Sequence, residues 1–211
     1  MEHKPTLSGR LRVWFGGFGK ACAAFLLKLG LTPNMVTIIG CVGHISVFWC
    51  AYKGLFPLAC LLLFVFSILD FFDGTMARMI TDGKGSKFGA VLDSALDRYA
   101  EFLLLGGLMC HYAERGNVSV TALCVAAMMG AALVPYLRAK GEIYGLDMTV
   151  GIMTKFERTF VLGFFLLLSL PVIGLAIVAV LGNFTAMQRL LYIKKYLEKE
   201  TEPKQAGEPD D

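Results

Sequence analysis

Charged residues are scarce in this sequence, and long apolar runs take their place. Only 18% of the 211 residues are Asp, Glu, Lys or Arg, whereas 56% are hydrophobic, and the mean hydropathy is +0.62. This balance excludes a soluble globular domain of this length and indicates a chain that lies in lipid. The net charge of +3 gives no reason to expect a nucleic-acid partner.

Paired cysteines, internal repeats and a second domain are also missing. The six cysteines stand singly in apolar stretches without a C-x-x-C motif, so we expect buried thiols rather than metal ligands or disulfides. They are Cys22, Cys41, Cys50, Cys60, Cys110 and Cys124. A polar start followed by a basic amphipathic stretch is not the pattern of a cleavable signal peptide.

Six apolar segments have roughly the length that a bilayer requires, and we predict a transmembrane helix from each. They lie near residues 35–52, 55–79, 88–112, 118–140, 157–170 and 172–193. Before this 35–193 bundle, residues 8–30 alternate apolar and basic side chains, which predicts an amphipathic helix on the membrane surface. A broken first transmembrane helix is less favoured, because glycines interrupt the apolar run. The sequence thus predicts an all-α integral membrane protein of one domain, residues 1–211, with a charged cytoplasmic tail at 194–211.

The basic residues are distributed very unevenly between the predicted loops. Nearly all lie in the N-terminal region, after the second and fourth segments, and at the C-terminal end, whereas the opposite side has only Lys53 and Arg115. The positive-inside rule then places both termini on the cytoplasmic side of the membrane. We expect a multi-pass protein, such as one of a prokaryotic cytoplasmic membrane.

Four carboxylates interrupt this apolar chain at helical spacing. Asp70 and Asp73 are three residues apart, and Asp93 and Asp97 are four apart, so each pair projects from one face of its helix. The Gly83–Ser86 turn between them would fold the second helix back on the first. The four acids would then repel one another unless cations lie between them, which favours Mg²⁺ or Mn²⁺, as a pair of ions. The alternative is that each acid is satisfied separately by an arginine or by the backbone.

A metal site in a membrane protein serves either ion movement or phosphoryl chemistry. A transporter spreads its ionisable residues along a path near mid-membrane, whereas these acids cluster at the ends of two consecutive helices. Gly74 permits a close backbone approach, and Arg78 can pair with a pyrophosphate. The arrangement favours phosphoryl transfer, with a non-enzymatic ion-binding or transport protein as the alternative.

The motif around these acids resembles the signature of the CDP-alcohol phosphotransferase family. The pattern is D-x-x-D-G-x-x-A-R followed by G-x-x-x-D-x-x-x-D, with two residues more between Arg78 and Gly89 than the family usually has. Every signature position is filled, by Asp70, Asp73, Gly74, Ala77, Arg78, Gly89, Asp93 and Asp97. The resemblance implies a membrane enzyme that transfers a phosphatidyl-type group from a CDP-lipid to an alcohol and releases CMP.

The resemblance also implies roles for single residues. Asp70, Asp73 and Asp93 would bind metal, and Asp97 would bind metal and act as the general base. The residues implied for binding the CDP-lipid, such as CDP-diacylglycerol, are Asn34, Thr37, Gly74, Ala77, Arg78 and Ser86. For Asn34 the alternative is a helix cap, and for Thr37 an ordinary helix hydroxyl.

Four further basic residues bear on the choice of acceptor. Arg138, Lys140, Arg158 and Arg189 fall outside the signature and can form an anion pocket for a phosphorylated alcohol. The alternative is that they reach out to lipid phosphates at the membrane surface.

The sequence around these basic residues resembles the prokaryotic phosphatidylinositol-phosphate synthase branch of the family, which implies inositol phosphate as acceptor. Two departures are Phe156, where that branch tends to have proline, and Arg138, where it tends to have lysine. Glycerol 3-phosphate is the second choice, and free inositol or serine is less favoured. Members of this family commonly form homodimers, so we expect one here.

Overall fold

The computed structural model describes residues 7–81 and 85–201. Within that part the chain forms seven α-helices and no β-strand, which confirms the prediction of an all-α protein. The helices are α1 (Leu7–Lys28), α2 (Pro33–Tyr52), α3 (Phe56–Ile80), α4 (Lys87–Glu114), α5 (Val118–Ile143), α6 (Lys155–Leu167) and α7 (Pro171–Thr201). Gly83 and Lys84 of the predicted turn and residues 202–211 of the predicted tail lie outside the described residues.

Side-chain oxygens cap the two helices that begin beside the predicted site. The Thr32 hydroxyl accepts a hydrogen bond from the Met35 backbone N–H at 3.3 Å, and Pro33 is the first residue of α2. The Ser86 hydroxyl accepts from the Gly89 N–H at 2.9 Å and starts α4. These caps satisfy N–H groups that the helix itself leaves free.

The apolar core lies at the middle of the bundle, where six helices meet. The helix α2 packs along both α3 and α4, and α5 packs along α7. One buried core residue from each of α2 to α7 is Ala51, Leu63, Leu105, Cys124, Leu166 and Leu175. Three of the six cysteines are buried and three are half-buried, and all six are free thiols.

Glycine brings α2 and α4 into close contact. A Cβ atom placed on Gly107 would lie 2.5 Å from the Phe48 carbonyl oxygen and 3.0 Å from the Phe48 Cα. At the neighbouring Gly106 the nearest atom would be a Phe48 ring carbon at 3.6 Å, which is an ordinary van der Waals contact. Only the first glycine is therefore required by the packing.

Four of the described helices are long and apolar enough to cross a membrane, namely α2, α3, α5 and the Pro171–Glu198 part of α7. Large apolar side chains face outward, as lipid contact requires: Ile45 is 57% exposed, Leu61 59% and Val180 65%. Composition and fold together indicate a membrane protein.

The predicted third and fifth spans differ from the other four. The helix α6 has 13 residues, fewer than the about 20 that a membrane span needs. The helix α4 is long enough, but charged residues interrupt its N-terminal part, among them Asp93, Asp97, Arg98 and Glu101. At the C-terminal end, α7 continues to Thr201 instead of ending near residue 193.

Candidate active site

Three of the four predicted metal ligands converge in the structure. Asp70 in the C-terminal half of α3 and Asp93 and Asp97 in the N-terminal half of α4 each offer a carboxylate oxygen, and these oxygens lie within 4.8 Å of one another. All three residues are half-buried. Three negative charges this close repel strongly in a partly buried site unless a cation neutralises them.

Asp73 lies one turn further along α3 and lines the cavity next to this cluster. Its side chain is buried, at 5% exposure, and its Oδ2 atom has no hydrogen-bond partner among the described residues. A buried carboxylate oxygen without a partner is costly. A cation shared with Asp93, which lines the same cavity, would satisfy it.

Lys155 already occupies part of the acidic cluster. Its ammonium nitrogen lies 2.7 Å from Asp70 Oδ2 and also donates to Asp97 Oδ1. The ammonium group stands where a metal ion would neutralise the same oxygens, so the residues present fit a divalent cation. Sequence reasoning did not single out this lysine. One signal in the sequence could have identified it. Lys155 is the first residue of α6, where the helix dipole disfavours a positive charge unless an acidic partner is near.

A first cavity, of about 480 Å³, opens on the α2 side of the acidic cluster and is called the donor cavity below. Its lining includes all six residues predicted to bind the CDP-lipid: Asn34, Thr37, Gly74, Ala77, Arg78 and Ser86. The guanidinium of Arg78 is held by a 3.1 Å hydrogen bond to the Thr75 hydroxyl.

The contacts of Asn34 and Thr37 bear on their alternative roles, and Ser86 also has a structural contact. The cap of α2 is Thr32, so Asn34 is not the cap of that helix. The Thr37 hydroxyl donates to the Pro33 carbonyl at 3.0 Å, as helix hydroxyls commonly do. Ser86 both caps α4 and lines the donor cavity.

A second cavity, of about 630 Å³, lies on the other side of the cluster and is called the arginine cavity below. Arg138, Arg158 and Arg189 line it together with Arg98 and Lys155. Lys140, the fourth residue of the predicted anion pocket, is not in this lining. Its ammonium nitrogen instead lies 5.8 Å from the centre of the Tyr136 ring.

The buried side chain of Arg158 uses its hydrogen-bond donors on groups of the protein itself. Its guanidinium makes two hydrogen bonds to Glu101, Nε to Oε1 at 2.6 Å and Nη2 to Oε2 at 3.1 Å, and its Nη1 donates to the Met153 carbonyl. The side chain is 1% exposed. Glu101 also accepts from Arg98 at 3.0 Å. Sequence reasoning missed Glu101, which neutralises two arginines at the wall of the cavity.

Arg189 and Arg138 differ sharply in what they contact. Arg189 is buried and donates to the carbonyls of Val150, at 2.9 Å, and Val134, at 2.6 Å, so it ties α7 to α5 and to the α5–α6 connection. Arg138 is 60% exposed, and among the described residues its ion pair is with Glu142 of its own helix. Of the three predicted arginines in the lining, Arg138 is the most accessible to a ligand.

The model of the CDP-alcohol phosphatidyltransferase family matches residues 30–189. This range is most of the chain and includes the acidic cluster and both cavities. The chain belongs to this family. The resemblance expected from the D-x-x-D-G-x-x-A-R motif is thereby confirmed.

Two relatives illustrate how similar other family members are. A phosphatidylinositol phosphate synthase of Streptomyces avermitilis is 36% identical over 160 residues, which cover 74% of this chain and 64% of that protein. The chain therefore matches just under two thirds of the length of the Streptomyces relative. An archaetidylinositol phosphate synthase of Pyrococcus horikoshii is 34% identical over 174 residues, covering 82% of this chain and 89% of that protein.

Solved structures of a family member have the same fold. The phosphatidylinositol phosphate synthase of Mycobacterium tuberculosis with CDP-DAG bound has a TM-score of 0.77 at 24% identity and covers 92% of this chain and 98% of that one. The same enzyme in complex with manganese and citrate has a TM-score of 0.76 at 25% identity, covering 91% of this chain and 93% of that one.

Proposed function

We propose that this protein transfers a phosphatidyl group from CDP-diacylglycerol, or a related CDP-lipid, to a phosphorylated alcohol and releases CMP. The observation that carries the proposal is the acidic cluster between two cavities. Asp93 lines the donor cavity, whereas Lys155, bonded to Asp97, lines the arginine cavity. This arrangement supports a reaction in which two substrates meet at the carboxylates.

The donor cavity would take the CDP part of the lipid. Arg78 offers a charged donor for the pyrophosphate, and Gly74 leaves room for it, because the nearest atom to an added Cβ there is an Arg78 nitrogen at 3.6 Å. Asn34, Thr37 and Ser86 offer polar groups from the opposite wall. The lipid tails would extend along the outward-facing apolar surface of the helices.

Asp70, Asp93 and Asp97, together with Asp73, would hold two divalent ions, Mg²⁺ or Mn²⁺. When bound, the ions supply charge neutralisation for the pyrophosphate and for the charge that develops during transfer. The manganese complex of the Mycobacterium relative supports a divalent ion in this family. The unpartnered Asp73 Oδ2 supports a ligand role for the fourth acid.

Asp97 would act as the general base. Its carboxylate accepts the proton of the acceptor hydroxyl, and the hydroxyl oxygen forms a bond to the lipid-side phosphorus. The bond from that phosphorus to the bridging oxygen breaks, and the electron pair leaves with CMP. Phosphorus thereby exchanges one oxygen substituent for another, without a redox step.

The arginine cavity would bind the acceptor through its phosphate. Charged donors such as Arg138 recognise a phosphate more strongly than a neutral hydroxyl. The names of the Streptomyces and Pyrococcus relatives support inositol phosphate as the acceptor. Glycerol 3-phosphate carries the same recognisable group and remains the second choice.

Purified protein with CDP-diacylglycerol and a panel of acceptors tests the proposal. We expect CMP release with inositol phosphate, a slower reaction with glycerol 3-phosphate, and none above background with free inositol or serine. A preference for free inositol would overturn the role of the arginine cavity. Preference for glycerol 3-phosphate would keep the cavity and change only the head group.

The same proposal includes an arrangement in the membrane. The helices α4 and α6 would complete a set of six spans, α1 would lie on the membrane surface, and both termini and the acidic cluster would face the cytoplasm. The uneven distribution of basic residues supports this orientation. Two copies would associate as a homodimer, as is common in the family.

A further inference from the structure

Lys155 contacts the acidic cluster and also lines the arginine cavity. Its ammonium nitrogen bonds to Asp70 and Asp97, and its side chain also lines the arginine cavity. A small cavity of about 20 Å³, lined by Asp70, Asp97 and Glu101 among others, is also lined by this lysine. The lysine thus separates the acidic cluster from the arginine cavity.

The position of Lys155 on its helix makes the acidic contacts its main anchor. It is the first residue of α6, directly after the cap Thr154, whose backbone N–H donates to Glu157 at 2.8 Å. A positive charge is disfavoured at the start of a helix, so the two carboxylates hold the ammonium group there. The side chain remains 38% exposed, and its flexible stem can turn toward open space.

A lysine and a divalent ion compete for the same oxygens. The ammonium group uses Asp70 Oδ2 and Asp97 Oδ1, and these residues are two of the three acids that converge. A metal ion that takes those oxygens must release the ammonium group. The arginine cavity is the neighbouring space that Lys155 already lines.

We infer that Lys155 is an internal cation that holds the acidic cluster together before metal binds and then contributes to binding the acceptor phosphate. This inference rests on the proposed function: its first half on the metal site, and its second half on the phosphorylated acceptor. It makes Lys155 a positioning residue whose displacement couples the two ligands: metal binding strengthens acceptor binding, and acceptor binding strengthens metal binding by the same factor.

The first test measures Mn²⁺ affinity of the full chain in detergent, from the electron paramagnetic resonance signal of free Mn²⁺. Lys155→Met should bind Mn²⁺ about tenfold more tightly, because the apparent metal affinity is reduced by the fraction of molecules in which the ammonium group occupies the site. Lys195→Met removes an exposed lysine of α7 and should bind like the wild type. Unchanged or weaker binding by Lys155→Met would overturn the inference.

The second test uses the wild-type chain, so it does not depend on a variant that folds. Acetylation of Lys155 by acetic anhydride, measured by mass spectrometry against Lys195, should be slow without ligands and several-fold faster with Mn²⁺. Inositol phosphate added with Mn²⁺ should slow it again. Equal rates with and without Mn²⁺ would overturn the inference.

The outcome also separates this inference from the proposed function. If Mn²⁺ exposes Lys155 but inositol phosphate neither protects it nor accepts a phosphatidyl group, the acceptor assignment fails and the metal-coupled lysine stands. If transfer to inositol phosphate proceeds normally and Mn²⁺ does not change the acetylation rate of Lys155, the proposed function stands and the lysine has no such role.

Discussion

Asp97 is the less exposed of the two carboxylates that bond to Lys155. Its side chain is 13% exposed, and one of its oxygens accepts from Lys155 while the residue lies beside Asp70 and Asp93. A group so enclosed can accept a proton from a substrate hydroxyl without exchanging it directly with bulk water. Its loss should therefore affect the chemical step more than the binding of the lipid.

Asp97→Asn keeps the size of the side chain and removes the proposed base. We expect kcat for CMP release to fall by about a hundredfold or more, with a much smaller change in KM for the CDP-lipid. Asp147→Asn, which changes an exposed aspartate outside both cavities, should behave like the wild type. A wild-type rate for Asp97→Asn would contradict its assignment as the base.

Removal of metal should abolish transfer. Excess EDTA should stop CMP release, and Mg²⁺ or Mn²⁺ should restore it, because three acids within 4.8 Å need a cation to hold a pyrophosphate. Asp70→Asn and Asp93→Asn should remain inactive at any metal concentration that restores the wild type. Full activity in the chelator would show that the cluster is not a metal site.

Substitutions of Arg138 and Arg158 should have different effects. Arg138→Ala removes an exposed cation from the cavity wall and should raise KM for the acceptor by about ten- to a hundredfold, leaving KM for the CDP-lipid unchanged. Arg158→Ala leaves Glu101 nearly buried without its closest partner and should destabilise the protein by about 3–5 kcal/mol. Kinetics and thermal unfolding of the two variants measure the difference. A pure acceptor KM effect for Arg158→Ala at normal stability would reverse these roles.

The partners of these residues mark the limit of what the sequence could predict. Helical spacing and the short turn between two consecutive helices were enough to predict that Asp70, Asp93 and Asp97 come together. Lys155 and Glu101 were missed because their contacts join residues 85 and 57 positions apart, respectively. Arg158 and Arg189 were expected to face a ligand, but only the fold shows that Glu101 and backbone carbonyls use most of their donors.

At the scale of helices, the contact of α2 with α4 depends on one glycine. Gly107→Ala should lower the unfolding temperature in detergent, because its methyl group would meet the Phe48 backbone. Gly106→Ala is the matched control and should be neutral or stabilising, since alanine favours a helix by about 1 kcal/mol over glycine and has room here. Equal effects of both substitutions would mean that this helix contact does not depend on close packing.

The helices themselves show which boundaries a sequence can define. Turns with proline or a hydroxyl cap, such as Thr32–Pro33 and Ser86, were found to within a few residues because local chemistry fixes them. The sequence prediction extended the segment of α6 to residue 170, beyond the end of the helix at Leu167. Apolar residues continue past this end as far as Leu170. Hydropathy does not distinguish a helix from the apolar connection that follows it.

The distribution of basic residues over the chain predicts a membrane topology that can be measured directly. Reporter domains fused to the N-terminus and to the C-terminus should both be cytoplasmic, and insertions at Lys53 or Arg115 should lie on the opposite side. Opposite locations of the two termini would exclude an even number of spans. Insertion between α6 and α7 reports directly whether the 13-residue α6 crosses the membrane.

The two cavities on either side of the carboxylates also have a consequence for the kinetic mechanism. If donor and acceptor bind in these separate cavities, as proposed, both can be bound before any bond breaks, and initial-rate plots should intersect as in a sequential mechanism. CMP would occupy the proposed nucleotide site in the donor cavity and should compete with the CDP-lipid, whereas it should be a non-competitive inhibitor toward the acceptor. The enzyme should accordingly catalyse no exchange of labelled CMP into CDP-diacylglycerol when the acceptor and its lipid product are both absent.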